Sequence, residues 1–291
     1  MLRLAVATDA ETLDRIRAPL AERGIEATHV PTAERVQPLS EPLTEESLDV
    51  GFVYPSRPME GGVADALLEI PWVNDREAIL RSRNKAGALA RLERAGVPTP
   101  ESVYVSNPVG EAELRAAFER LDAPVVVKPN STTRGVGIAK AHDLDSFLGI
   151  CDYLALVHDY RAADDRSFLV QEFLPDARDF RAMVIDGEFA GAVERRLPEE
   201  DRAAGQWKHN VHRGAKAEGV DLSAGLRRLA ERTAETLEVD WLGVDILVSE
   251  GGAVVNETNA RPTVDTATKY EPGFYDRLAA LIRRTAKEQS P

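Results

Sequence analysis

The chain has 291 residues, 43% hydrophobic and 29% charged, with a formal net charge of −13. That size suits two or three packed lobes, and the acidic balance repels phosphate backbones, which sets nucleic acid aside as an expected partner. Only seven of the 36 basic residues are lysine, a skew that fits a salt-adapted cytoplasm or GC-rich coding.

In chain order, Leu2–Ala7 reads as a strand with Arg3 inside it, a first strand rather than a signal peptide. A helix over Glu11–Arg23 ends at Gly24, and Glu26–Val30 and Asp49–Tyr54 read as further strands. Gly61–Glu69 reads as a helix opened by a Gly-Gly turn, after a Pro-, Ser- and Glu-rich surface loop at Pro31–Glu46. This alternation predicts a small open α/β sheet with helices on its faces. Arg76–Ala95 reads as one or two helices, stopped by Gly96 and the Pro98/Pro100 pair. Then come a strand at Ser102–Val105, a helix at Gly110–Arg120, an apolar strand at Pro124–Pro129, a polar loop at Asn130–Gly137 and a helix at Asp143–His158. Cys151 lies in that helix, where it reads as a buried small hydrophobe, and a single cysteine forms no internal disulfide.

The last part reads as antiparallel. Strands are expected at Phe168–Phe173, Asp179–Asp186 and Glu188–Arg195, the last two joined by an Asp186-Gly187 turn. A long charged loop follows at Leu197–Gly214, then a helix at Leu222–Thr236. A hairpin of Trp241–Ser249 and Ala253–Asn259 over Gly251-Gly252 precedes a final helix at Gly273–Lys287. The expected division is 1–75, connecting helices 76–96, then 97–170 and 171–291. No stretch approaches the ~20 apolar residues of a membrane span, so the expectation is a cytoplasmic protein with no membrane partner.

Glu257 and Asn259 are two apart and share a strand face. An odd-length turn centred on Gly251 would set Asp245 opposite Glu257; a two-residue turn would send it to the other face. Three oxygen ligands on one patch suit Mg²⁺, while a solvated face with scattered acids is the plainer reading. Lys128 ends the apolar strand just before Gly135-Val136-Gly137. A buried lysine there needs an anionic partner, and the loop could offer backbone N–H groups to phosphates, unless it is an ordinary polar loop. Asp179 and Arg181 share a face, and Arg195 and Arg196 end the next strand. Arginines aimed at one cleft suit anionic substrates, and surface ion pairs are the alternative.

The order of these pieces is more specific than any one of them. Val126–Gly137, Gln171-Glu172-Phe173-Leu174, Asp179-x-Arg181, Arg195, Trp207–Gly214 and Asp245…Glu257-x-Asn259 together resemble the ATP-grasp superfamily. More narrowly they are similar to the RimK-like amino-acid ligases, which add glutamate to a protein tail or a cofactor. The resemblance covers roughly Asn74 to the C-terminus. It implies an ATP-grasp fold, α+β with a small α/β lobe in front. It also implies that ATP lies between two lobes, with Lys85 and Lys128 on its phosphates, and that Gly135 and Gly137 form a closing loop. Glu172 and Phe173 would form the adenine hinge, Asp179 would face the nucleotide hydroxyls, and Lys208 and Asn210 the phosphates. One or two Mg²⁺ (or Mn²⁺) ions would sit on Asp245, Glu257 and Asn259, with Arg181 and Arg195 as catalytic groups holding an acylphosphate.

The implied reaction is ATP-dependent amide formation between an amino acid and a carboxylate acceptor. A dipeptide or carrier-protein ligase shares the same nucleotide residues, and a non-catalytic nucleotide-binding module would show a broken metal set. A homo-oligomer is left open. The sequence departs from the family at Lys208, where relatives more often carry arginine, at Ala260-Arg261-Pro262-Thr263, where small residues and glycine are usual, and in the acidic insertion Pro198–Gly205. Arg57 and Gly61-Gly62 are candidates for acceptor recognition in the first lobe.

Overall fold

A computed structural model describes residues 1–8, 11–132, 135–160, 165–208, 214–266 and 269–287. The first lobe is a three-stranded parallel sheet in the order β2-β1-β3, formed by β1 (Leu2–Val6), β2 (Ile25–His29) and β3 (Val50–Phe52). Helix α1 (Glu11–Ala21) covers it with Leu13, Ile16 and Leu20, the i, i+3, i+7 spacing of one helical face. Helix α2 spans Pro58–Leu68 with proline in its first turn, where the missing N–H costs nothing. Gly61 and Gly62 therefore lie inside this helix and do not open it. Gly61 is needed for close packing instead, because a Cβ there would lie 2.4 Å from the Tyr54 ring.

Two helices follow, α3 (Arg76–Arg83) and α4 (Lys85–Arg94), broken at Asn84. Asn84 ends the first and caps the second, accepting from Gly87 N at 2.9 Å. The next lobe is a four-stranded antiparallel sheet in the order β4-β7-β5-β6. Its strands are β4 (Ser102–Ser106), β5 (Val125–Pro129), β6 (Ala139–Ala141) and β7 (Ser167–Glu172), so β7 runs across position 170. Helices α5 (Glu111–Glu119) and α6 (Leu144–Tyr160) cover one face. Val125, Val127, Phe147, Cys151 and Phe168 form that lobe's own core. Cys151 is buried as expected, and burial pushes its thiol up to about 12.

The largest sheet has five antiparallel strands in the order β10-β9-β8-β11-β12. Strands β8 (Arg178–Ile185) and β9 (Glu188–Arg196) meet at Asp186-Gly187, both at positive φ (53° and 77°), as a tight right-twisted hairpin requires. The expected loop Leu197–Gly214 contains a short helix, α7 (Glu199–Ala203), and is followed by an edge strand, β10 (Lys216–Val220). Both escaped the sequence reading because α7 is one polar turn and β10 is mostly exposed, without an alternating apolar face. The sheet closes with β11 (Trp241–Ser249) and β12 (Gly252–Asn259). Helices α8 (Ala224–Leu237) and α9 (Phe274–Lys287) pack on it.

The first lobe and this sheet share one core. Leu4, Val6 and Phe52 lie with Trp241, Phe274, Leu278 and Ile282. Asn74 pins the junction, donating to Trp241 O at 2.6 Å and Ala260 O at 2.7 Å. Among the described residues no helix is long and apolar enough to cross a membrane.

Candidate active site

A cleft of ≈ 1420 Å³ runs between the four-stranded lobe and the five-stranded sheet. Its floor is set by the register of β11. Asp245 lies opposite Arg181 on one side and Glu257 on the other, and Gly243 opposite Asn259. The three expected oxygen donors thus share one face, but not through an odd-length turn. Ser249 pairs with Gly252, leaving the two-residue turn Glu250-Gly251, and the pairing then shifts between Asp245 and Ile246. Asn256 is the extra residue of a β-bulge there, and that bulge returns Glu257 to Asp245's face.

Asp245 is 5% exposed and carries two guanidinium groups. Arg181 holds it bidentately, Nε to Oδ1 at 2.7 Å and Nη2 to Oδ2 at 2.9 Å. Arg195 Nη2 approaches Asp245 Oδ2 at 3.0 Å and Asp179 Oδ1 at 2.5 Å. Burial by itself would raise the Asp245 pKa, but the two arginines outweigh it and hold the carboxyl well below its usual range. Two arginines and two aspartates thereby form one ion-pair network across β8, β9 and β11.

Lys85 and Lys128 approach the same floor from the other wall. Asn130 fixes both: its Oδ1 accepts from Ala86 N at 2.9 Å and its Nδ2 donates to Asn84 Oδ1 at 3.1 Å. The N-terminus of α4 is thus tied to the end of β5. Lys85 Nζ donates to Thr132 O and lies 3.4 Å from Glu257 Oε1. Lys128, 7% exposed, donates to Gln171 Oε1 and, at 2.8 Å, to Asn256 Oδ1. Burial lowers its pKa to about 8, a shift that Glu257 partly offsets and the nearby Lys85 reinforces. A buried ammonium on two neutral oxygens is poised for an anion.

At the far end, Glu172 closes β7: its N–H donates to Glu101 O and its Oε1 accepts from Glu101 N at 2.8 Å. Phe173, just past the strand, makes an edge contact with Trp207 at 5.8 Å, and Lys140 Nζ sits 4.4 Å from the Phe173 ring centroid. Lys208 Nζ donates to Ile138 O at 2.5 Å. Gly135 also lines the cleft, and Gly137, at φ 76°, lies close against Pro129. Asn210 and His212 lie outside the described residues.

Sequence reasoning missed Asn256 as a cleft residue, and it missed the packing of Trp207 and Lys140 on Phe173. A bulge leaves no signature in alternation, and an aromatic–lysine stack forms only when separate segments meet.

The donor set Asp245, Glu257 and Asn259 fits a hard divalent cation: two carboxylates and one amide oxygen on one face, the amide already oriented by Arg261 N at 2.8 Å. Among the described residues no group of three His, Cys, Asp or Glu side chains could hold a metal, so a site here needs the Asn259 amide.

A cleft with two buried lysines on one wall and acids backed by arginines on the other, between two antiparallel sheets, is the arrangement of an ATP-grasp ligase. Residues 82–273 match the model of the RimK-like ATP-grasp domain, and the chain belongs to that family, as an ATP-dependent carbon–nitrogen ligase. It is 34% identical over 227 residues to a probable alpha-L-glutamate ligase of Thioalkalivibrio sulfidiphilus, covering 74% of this chain and 68% of that one. Two solved structures share the fold. A RimK domain ATP-grasp protein of Sphaerobacter thermophilus superposes with TM-score 0.67 at 22% identity, over 98% of both chains. A D-alanine–D-alanine ligase of Bacillus anthracis, complexed with ATP, gives TM-score 0.71 at 17% identity, over 99% of this chain and 98% of that one.

Proposed function

We propose that the protein uses ATP to join glutamate, or a similar amino acid, to the carboxylate of a protein tail or a cofactor. The observation that carries the reading is the convergence of Lys85, Lys128, Arg181, Arg195 and the set Asp245, Glu257 and Asn259 on one cleft. The named relative supports glutamate as the amino acid.

In this reading Lys85 and Lys128 hold the nucleotide phosphates, and Lys208 and Asn210 also serve the phosphates. Glu172 and Phe173 flank the adenine, and Asp179 faces the nucleotide hydroxyls. One or two Mg²⁺ ions, or Mn²⁺, bound by Asp245, Glu257 and Asn259, would neutralise charge on the phosphates. Arg181 and Arg195 hold the transferring phosphoryl oxygens while the acid becomes an acylphosphate, and an amine then displaces phosphate. The loop carrying Gly135 and Gly137 shields that intermediate from water. The division into 1–75, 76–96, 97–170 and 171–291 belongs to the same proposal, as does a cytoplasmic setting. So does the set of partners: small-molecule amino acid and carboxylate acceptor, with neither nucleic acid nor membrane.

The test is ADP release from Mg-ATP with glutamate and a panel of carboxylate acceptors. ADP should appear only when acid and amine are both present, and Glu257→Ala should abolish it with the fold retained. Absence of nucleotide binding by calorimetry overturns the reading.

A further inference from the structure

We infer that Arg83 binds a second, non-reacting carboxylate of the acid substrate, in the crevice between the first lobe and the end of β12, so that the preferred acids are dicarboxylic. For the reaction itself this rests on the ligase reading above; for the place it rests on the following geometry.

The parallel order β2-β1-β3 puts a change of direction between β1 and β3. In open α/β sheets the crevice beyond the carboxyl ends of two such strands is where ligands bind. Thr8, just past β1, and Val53 and Ser56, just past β3, line the cleft. Val53 is held at φ 57°, a strained conformation for a β-branched residue, and such strain collects at ligand sites.

Arg83 sits at this crevice between two anchors. Its neighbour Ser82 bonds Thr258 Oγ1 and Ala260 N, each at 3.1 Å, which docks the end of α3 on the end of β12. Two residues on, Lys85 meets Glu257. The Arg83 side chain turns the other way and donates Nη2 to Ser56 O at 2.8 Å.

The electrostatics around Arg83 differ from those of the arginines on the sheet. Arg178, Arg181, Arg195 and Arg196 each lie on a carboxylate. Among the described residues none pairs with Arg83, and burial lowers its pKa. Glu11, in the same crevice, is taken by Arg15 at 2.8 Å. A half-buried guanidinium with most of its donor fork unused is built for a bidentate carboxylate. Because Arg181 and Arg195 are pinned to Asp245 and Arg83 reaches the first lobe, the group Arg83 takes is distinct from the reacting one.

The experiment uses the full chain with Mg-ATP and hydroxylamine as the amine. The acid's oxygen attacks the γ-phosphorus and ADP leaves; hydroxylamine nitrogen then attacks the acyl carbon and phosphate leaves, giving a hydroxamate. Glutarate and N-acetylglutamate are compared with glutaramate and N-acetylglutamine, their monoamides. Losing a charged hydrogen-bond pair should raise KM about tenfold or more for each monoamide. Arg83→Gln should bring the diacid-to-monoamide ratio to about one, Arg83→Lys should keep part of it, and the KM for ATP should stay within about twofold. A ratio near one in the wild type, or an unchanged ratio in Arg83→Gln, overturns the inference; the wild-type ratio is decisive even if the variants fail to fold. If no acid supports ADP release, the ligase reading fails by itself. Calorimetry of glutarate against the Mg-bound ATP-analogue complex then decides: binding lost in Arg83→Gln upholds the site, and no binding to the wild type overturns it.

Discussion

Lys128 is where the electrostatics can be read most directly. Its pKa is lowered to about 8 because burial penalises the ammonium, and the surrounding acids only partly compensate. Above that pH the free protein holds Lys128 neutral, while a bound phosphate favours the charged form. Nucleotide binding should therefore take up a proton above pH 8, and affinity should fall with rising pH by at most about tenfold per unit. Calorimetry in buffers of different ionisation enthalpy measures the uptake, and Lys128→Met should abolish both the uptake and the slope. For folding the sign is the same as for any depressed pKa: the stabilising contribution is complete above the unfolded value of 10.5 and is lost as pH falls through about 8. Arg195 tests a different term. It is buried against Asp179 and Asp245, and removing one partner of a buried ion network strands the others. Arg195→Met should cost about 3 kcal/mol, read as a shift of the urea midpoint.

The element that decides the site is the β11–β12 hairpin. Its turn residues, Glu250-Gly251, would by themselves set Glu257 on the wrong face, and the bulge at Asn256 corrects this. Deleting Asn256 removes the extra residue, so a straight ladder with a normal melting profile should keep Glu257 opposite Asp245 and Asn259 opposite Gly243, while Lys128 loses its Asn256 acceptor. Mg-dependent ATP turnover should then stay within about tenfold of wild type while the KM for ATP rises, and a loss of about a hundredfold or more would show that the bulge geometry itself is needed. Gly191 on β9 is constrained differently: it has φ 138°, and an added Cβ would lie 2.7 Å from Tyr270 Cα. Gly191→Ala should cost about 2 kcal/mol and lower the melting temperature by several degrees. Neither constraint is visible in strand periodicity. The Asp186-Gly187 turn, by contrast, was legible, because only residues tolerating φ > 0 fit a two-residue hairpin.

At the scale of the molecule, the first lobe and the five-stranded sheet form one body through their shared core, whereas the four-stranded lobe keeps its own. Among the described residues the polar ties across the cleft are local: Lys128 to Asn256, Asn130 and Thr132 to the start of α4, Lys208 to Ile138 O, and Val255 N to Pro98 O at 2.9 Å. A loosely tied lobe facing a charged cleft should close on its ligand. Mg²⁺ with a non-hydrolysable ATP analogue should reduce the radius of gyration in solution scattering, and an unchanged radius would argue against closure. The net charge of −13 acts over the whole surface. If self-repulsion limits stability, added KCl should raise the melting temperature; a flat response would assign the lysine-poor composition to coding bias.

The sequence by itself determined the family, through the order of its motifs, and most helices and strands, through local periodicity and glycine and proline placement. It also set Glu257 and Asn259 on one face, because residues two apart on a strand share a face. What it did not determine was how those residues meet. The face of Asp245 depended on a bulge, the pairing of Arg181 and Arg195 with it on strand order, and the exposure of Arg83 to the first lobe on how α3 docks beside β12. Each of these is a long-range contact. Its energy depends on what lies across the cleft or the sheet rather than on the neighbouring residues in the chain, so only the tertiary structure could decide it.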